Sequence, residues 1–176
     1  MLTQTGIRGI VAYKRLICTA VLVFLLDQST KLWVSHELPI NTYNSWDSIT
    51  IIPDFFYIIH IGNYGAAWGI LEGQGLLLAA FALVALFTLF VFRKTLELHC
   101  HLEQWIFGLM IGGIVGNLAD RCLRGYVIDF LDFHLPFSIP YILEGGRYPA
   151  FNVADCGIVI GVFAFLTLNF IKKDPK

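Results

Sequence analysis

Charge is what this chain has least of. Only 14% of its 176 residues are Asp, Glu, Lys or Arg, against 57% hydrophobic residues and a mean hydropathy of +0.70. A soluble domain carries about 25% charged residues, so an ordinary soluble fold is excluded and a bilayer is the expected surrounding. Lys and Arg are absent altogether from Ser35–Gln74, which excludes that segment from the cation-rich side of a membrane. A net charge of −1 leaves no basic footprint, so no nucleic acid partner is expected. The four cysteines, Cys18, Cys100, Cys122 and Cys156, show no CxxC spacing, and read as small residues tolerated in apolar surroundings. HExxH and GxSxG are missing, and the one HxH pair, His99 and His101, falls far from the other polar candidates. Neither a metal site nor a cofactor is expected.

What is present is a set of long apolar runs. A spanning helix needs about 20 mostly apolar residues, and four stretches reach or approach that length: Val11–Val34, Gly75–Phe92, Leu102–Leu118 and Phe151–Ile171. The first resembles the core of a secretory signal peptide, but Asp27-Gln28-Ser29-Thr30-Lys31 follows where a cleavage site would stand, so it is read as an uncleaved span. The expectation is an all-α membrane protein of one domain, residues 1–176, with four transmembrane helices. In this arrangement Arg8, Lys14, Arg15, Arg93, Lys94, Lys172, Lys173 and Lys176 lie on one side, and Lys31, Arg121, Arg124 and Arg147 on the other. The cation-rich side is cytoplasmic, which places both termini in the cytoplasm.

Two outer segments are expected. Within residues 35–74, the β-branched and aromatic run Ile49–Ile61 reads as a hairpin or small sheet broken at Pro53-Asp54. Residues 130–150, rich in Pro, Gly and aromatics, are long for a connection and suggest a lid. Gly108, Gly112, Gly113 and Gly116 in the third run, and Gly157 and Gly161 in the fourth, recur at helical spacing and let neighbouring helices approach closely.

Polar residues gather at one depth. At 1.5 Å per residue, Asp27 lies about 17 Å beyond the basic pair Lys14-Arg15, Asp120 about 27 Å beyond Leu102, and Asp155 about 6 Å inside the fourth run. Asn63, Arg121, Asp129 and Asn152 belong to the same outer layer. Asp27 and Lys31, at i and i+4, suit a mutually neutralising pair. Asn117 and Asp120 suit interhelical hydrogen bonding, and Asn152 suits a helix cap with Asp155 at the reciprocal position. Asp129 and Asp155, at the outer ends of the third and fourth runs, suit a carboxylate pair sharing one proton, one member activating water and the other acting as acid. A proton-coupled transporter using the same aspartates is the alternative from another class, and a scaffold held by polar contacts is a third.

The motifs Asp27–Lys31, Asn63-Tyr64-Gly65-Ala66-Ala67-Trp68-Gly69, Gly112–Arg121, Gly125–Phe130 and Phe151–Asp155 occur together and in this order. The chain thereby resembles lipoprotein signal peptidase, signal peptidase II, the bacterial membrane aspartyl peptidase family. The resemblance implies cleavage of diacylglyceryl-modified prolipoproteins just before the lipidated cysteine, in the bacterial cytoplasmic membrane, with the active site near the outer face. It implies Asp129 and Asp155 as the catalytic dyad, and Asn63, Asn117, Arg121 and Asn152 lining the pocket for substrate and globomycin-type inhibitors. Asp27, Lys31, Asp120, Gly65 and Ala66 would support the pocket's shape. Membrane lipids are further expected partners, and a monomer is the expected state. The stretch His134–Pro149 is longer than the usual link between the two aspartate motifs, so its contacts do not carry over residue by residue.

Overall fold

The computed structural model describes residues 12–42, 47–98, 100–140 and 143–173. Among the described residues, four α-helices carry the chain: α1 (Lys14–Glu37), α2 (Gly75–Val91), α3 (His101–Leu123) and α4 (Val153–Lys173). Three strands, β1 (Ile49–Ile52), β2 (Phe56–Asn63) and β3 (Val127–Phe133), form an antiparallel sheet in that order.

The bundle centres on α3, and its glycines explain why. A Cβ added at Gly112 would stand 2.6 Å from the carbonyl oxygen of Ala20 on α1. One added at Gly157 or Gly161 of α4 would stand 3.0 Å from a carbonyl oxygen of α3, Leu109 or Ile106. Backbones this close bring van der Waals packing that larger residues would prevent. On α1, Thr19, Val23, Asp27, Lys31 and Val34 are buried at three steps of four residues and one of three, while Leu22, Leu25, Leu26 and Trp33 are exposed. An apolar outer face around a partly polar seam is the reverse of a soluble bundle and fits lipid surroundings.

The expected helices are all found, with shifted bounds. Three of them, at Lys14–Glu37, His101–Leu123 and Val153–Lys172, are long and apolar enough to cross a membrane. The second, expected over 75–92, is a shorter apolar helix of 17 residues with Ala79 as its buried residue. Four spanning helices are therefore not established by length alone.

The expected hairpin within Ile49–Ile61 is present as β1 and β2, and a third strand, β3, widens the small sheet expected beside the helices; the expected place of Asp129 needs correction. Asp129 does not sit at the end of a span: α3 stops at Leu123, Gly125 turns the chain at φ 81°, and Asp129 lies in β3. Residues 130–133, expected to open the lid loop, complete that strand. The run Val127-Ile128-Asp129-Phe130-Leu131-Asp132-Phe133 reads as an apolar stretch because it is buried on both faces. Its inner face joins Val34 of α1 and Leu38 just beyond it with Ile128 and Phe130 in one apolar core, which docks the sheet on one end of the bundle.

Candidate active site

The first turn of α4 presents Asp155, and its geometry follows from local sequence. Asn152 accepts a hydrogen bond on Oδ1 from the Asp155 backbone N–H at 3.0 Å, and its own N–H donates to Asp155 Oδ2 at 3.1 Å. This is a capping box with aspartate in the place of glutamate, and it satisfies two orphan donors while fixing the carboxylate. The other oxygen, Oδ1, accepts from Asn117 Nδ2 at 2.7 Å.

Asp129 is fixed in a matching way. Its backbone pairs with Ile61 of β2, which brings Asn63, opposite Val127, alongside it. Asn63 Nδ2 donates to Asp129 Oδ2 at 2.8 Å, and Asn152 Nδ2 donates to Oδ1 at 2.7 Å. Asn63 is itself oriented by the Gly65 N–H, which donates to its Oδ1 at 2.9 Å. Each of the four carboxylate oxygens thus receives an amide donor. Burial, and then the negative charge of Asp155, push the Asp129 carboxyl up to about 7, against the opposing influence of Asn63, Asn152 and Lys31.

Beneath the two aspartates lies a buried ion cluster. Lys31 Nζ sits 2.8 Å from Asp27 Oδ2 and 2.9 Å from Asp120 Oδ2, with all three side chains at 0% exposure, and donates to Asn117 Oδ1 at 3.0 Å. Charges so fully removed from water persist only when paired and hydrogen-bonded. Asp27 Oδ1 also accepts the Ala154 N–H at 2.9 Å, so a carboxylate of α1 binds the N-terminus of α4. Asp120 accepts from Arg124 and, at 3.3 Å, from the Ile128 N–H, which ties β3 to α3. Gln28 spans the cluster, donating to Asp27 at 3.1 Å, Asp120 at 3.2 Å and the Gly116 carbonyl at 3.3 Å.

Arg121 holds backbone. Its Nη2 donates to the Gly65 carbonyl at 3.1 Å, fastening the turn after β2 to α3. Gly65 is required there: a Cβ would lie 2.9 Å from the Ile70 carbonyl, to which the Ala66 N–H already donates at 2.7 Å. Asp129, Asp155, Asn63, Asn117, Arg121 and Ala66 open on a single cavity of about 870 Å³. Asn152, expected to line it, is instead fully buried and meets the site through the two carboxylates and Asn117. Its side chain is consumed by Asp129, Asn117 and the Ile128 carbonyl.

Sequence reasoning did not single out Gln28, Arg124 or the aromatic wall of the cavity. Gln28 lay within a quoted motif, but its three acceptors come together only when α1 meets α3. The wall is built by Phe133, Tyr148 and Phe151, with Trp68 facing Tyr148 edge-on at 6.2 Å. Among the described residues, no three His, Cys, Asp or Glu side chains are grouped to hold a metal ion, and all four cysteines are free thiols.

The chain matches the family model described as signal peptidase (SPase) II over residues 19–171. It is 38% identical over 149 residues to the lipoprotein signal peptidase of Oleidesulfovibrio alaskensis, covering 82% of this chain and 86% of that one. It is 37% identical over 172 residues to that of Desulforapulum autotrophicum, covering 93% and 96% of the two. Two solved structures of bacterial membrane enzymes superpose with TM-scores of 0.77 and 0.71, at 31% and 32% identity. The first covers 90% of this chain and 89% of its own, the second 87% and 90%. This membrane-helix fold, with two bridged aspartates opening on one cavity, belongs to the signal peptidase II family, a family of proteases.

Proposed function

We propose that the chain is an aspartic endopeptidase that removes the signal peptide from diacylglyceryl-modified prolipoproteins, cutting just before the lipidated cysteine. The observation that carries this reading is the pair Asp129 and Asp155. They are bridged by one asparagine, given a donor on every oxygen, and open on one cavity. With Asp129 pushed up to about 7, the pair holds its shared proton below that pH. Asp155 takes a proton from water as its oxygen attacks the scissile carbonyl carbon, and Asp129 gives its proton to the carbonyl oxygen. As the tetrahedral intermediate collapses, the proton on Asp155 passes to the leaving nitrogen and Asp129 takes back its proton from the hydroxyl formed on the carbonyl oxygen, which restores both groups. Asn63 and Asn117, which cannot titrate at working pH, orient carboxylates and substrate, while Arg121 holds the turn at Gly65.

In the same reading all four helices cross the cytoplasmic membrane of a bacterium, α2 completing its crossing with the adjoining turns. Both termini face the cytoplasm and the cavity faces outward, where the scissile bond meets water while the lipid stays in the bilayer. The protein acts as a monomer, needs no cofactor, and takes globomycin-type inhibitors in the same cavity.

The deciding experiment incubates the purified protein in vesicles with a diacylated prolipoprotein and with its unlipidated form, and weighs the products. A shortened product beginning at the lipidated cysteine is expected from the first alone. No cleavage of either, or equal cleavage of both, overturns the reading.

A further inference from the structure

Asp132 lies three residues beyond Asp129 on β3, so the two-residue period of a strand turns it to the opposite face. There it is 1% exposed, yet it is not isolated. Arg147 grips it through two bonds, Nε to Oδ1 at 2.8 Å and Nη2 to Oδ2 at 2.6 Å, and His134 Nε2 lies 2.9 Å from Oδ2. Both partners come from the connection between β3 and α4. That connection folds back on the sheet: His134 pairs with Arg147, Leu135 N–H donates to the Gly146 carbonyl at 2.7 Å, and Tyr148 N–H donates to the Phe133 carbonyl at 2.9 Å.

The consequence falls on the next residue. With Arg147 paired to Asp132, the next residue, Tyr148, lines the cavity on which Asp129 opens. Its ring stands edge-on to Phe151 at 5.8 Å and to Trp68 at 6.2 Å, and Phe151 stacks on Phe133 at 5.8 Å. Tyr148 therefore joins the β3–α4 connection to the turn after β2 across the cavity. A planar guanidinium gripping a carboxylate by two bonds fixes direction as well as distance, which a lysine in its place would not.

We propose that Arg147, acting through Asp132 and His134, is a positioning residue for substrate recognition. It sets the aromatic wall led by Tyr148, on which the residues flanking the scissile bond rest, and takes no part in proton transfer. This rests on the reading of the cavity as the substrate site. A wall of this kind contributes to binding in the ground state and transition state alike, so its loss raises KM and leaves kcat.

The test uses the full chain in vesicles with a diacylated prolipoprotein and compares Arg147→Lys, Arg147→Ala, Tyr148→Ala and the Arg147→Ala/Tyr148→Ala pair. Arg147→Ala and Tyr148→Ala should each raise KM by about tenfold, with kcat and the pH profile unchanged, and the pair should do no more than either alone. Arg147→Lys should fall on the same side, because it keeps the charge and loses the fork; it also carries the test if Arg147→Ala does not fold. A loss confined to kcat, a shifted pH profile, full additivity, or an unchanged KM in Arg147→Lys would overturn the proposal. Hydrogen exchange gives an arm free of substrate: the Tyr148 and Leu135 amides should exchange about tenfold faster in Arg147→Lys than in the wild type. Unchanged exchange there overturns the positioning role even if the wild type cleaves nothing, whereas absent wild-type cleavage overturns the assigned activity.

Discussion

Asn152 holds Asp155 from both sides, its backbone N–H on the carboxylate and its side-chain oxygen on the Asp155 N–H, at 3.1 and 3.0 Å. Because the cap consumes only the oxygen of the Asn152 amide, the nitrogen is left to reach Asp129 at 2.7 Å. A local helix-capping motif thus becomes the link between a membrane helix and a strand of the small sheet.

Replacing either aspartate by asparagine should abolish proton transfer. We expect Asp129→Asn and Asp155→Asn each to lower turnover by at least about 100-fold, within the usual range for a lost general acid or base. Asp129→Asn should also lower the melting temperature, since one amide N–H₂ would then face the donor of Asn63 or Asn152. Near-normal turnover in either variant, with folding verified in detergent, would refute the dyad.

Activity should depend on pH through Asp129. Its carboxyl titrates at about 7, above the ordinary carboxylate range, so the shared proton is present below that value and leaves as pH rises through it. The ratio kcat/KM should therefore fall on the alkaline side of about 7. The sign for stability is the same: a raised carboxyl pKa contributes stability in acid that is lost as pH rises through the folded value. Asn152→Ala removes a bond that favours the charged form, so its limb should move upward. A profile flat from pH 6 to pH 9 would contradict the assignment.

Lys31 compensates two carboxylates at once. We expect Lys31→Met to destabilise the protein by about 3–5 kcal/mol, because Asp27 and Asp120 would remain buried and short of their cation. Thermal unfolding in detergent measures this, and a loss under about 1 kcal/mol would show that the cluster is held by Gln28 and Arg124 instead.

The close helix contacts should be intolerant of single methyl groups. Gly112→Ala would press on the α1 backbone and should cost about 1–3 kcal/mol. Gly75→Ala, whose added methyl would meet only the Gly125 carbonyl at 3.5 Å, should be tolerated. Equal melting temperatures for the two variants would argue against tight α1–α3 packing.

Much of this arrangement can be read along the chain wherever partners are close in sequence. Asp27 and Lys31 are one turn apart, Asn152 and Asp155 share a cap, and the glycine spacing of α3 and α4 announces their contact. Pairings between distant elements leave no such trace. Lys31 with Asp120 joins α1 to α3, and Asp132 with Arg147 joins a strand to a loop. The place of Asp129 was hidden for another reason. A strand covered on both faces loses the alternation that distinguishes it, so β3 resembles the fraying end of the preceding helix.

The ion cluster has a further consequence for the polar layer as one electrical body. Four carboxylates, Asp27, Asp120, Asp129 and Asp155, share it with three cations, Lys31, Arg121 and Arg124. Left to themselves they carry one surplus negative charge, and a surplus so poorly hydrated is costly. A single proton on the aspartate pair makes the layer neutral. The supporting residues therefore do more than hold shape: in the proposed mechanism their charges leave the layer one proton short of neutral.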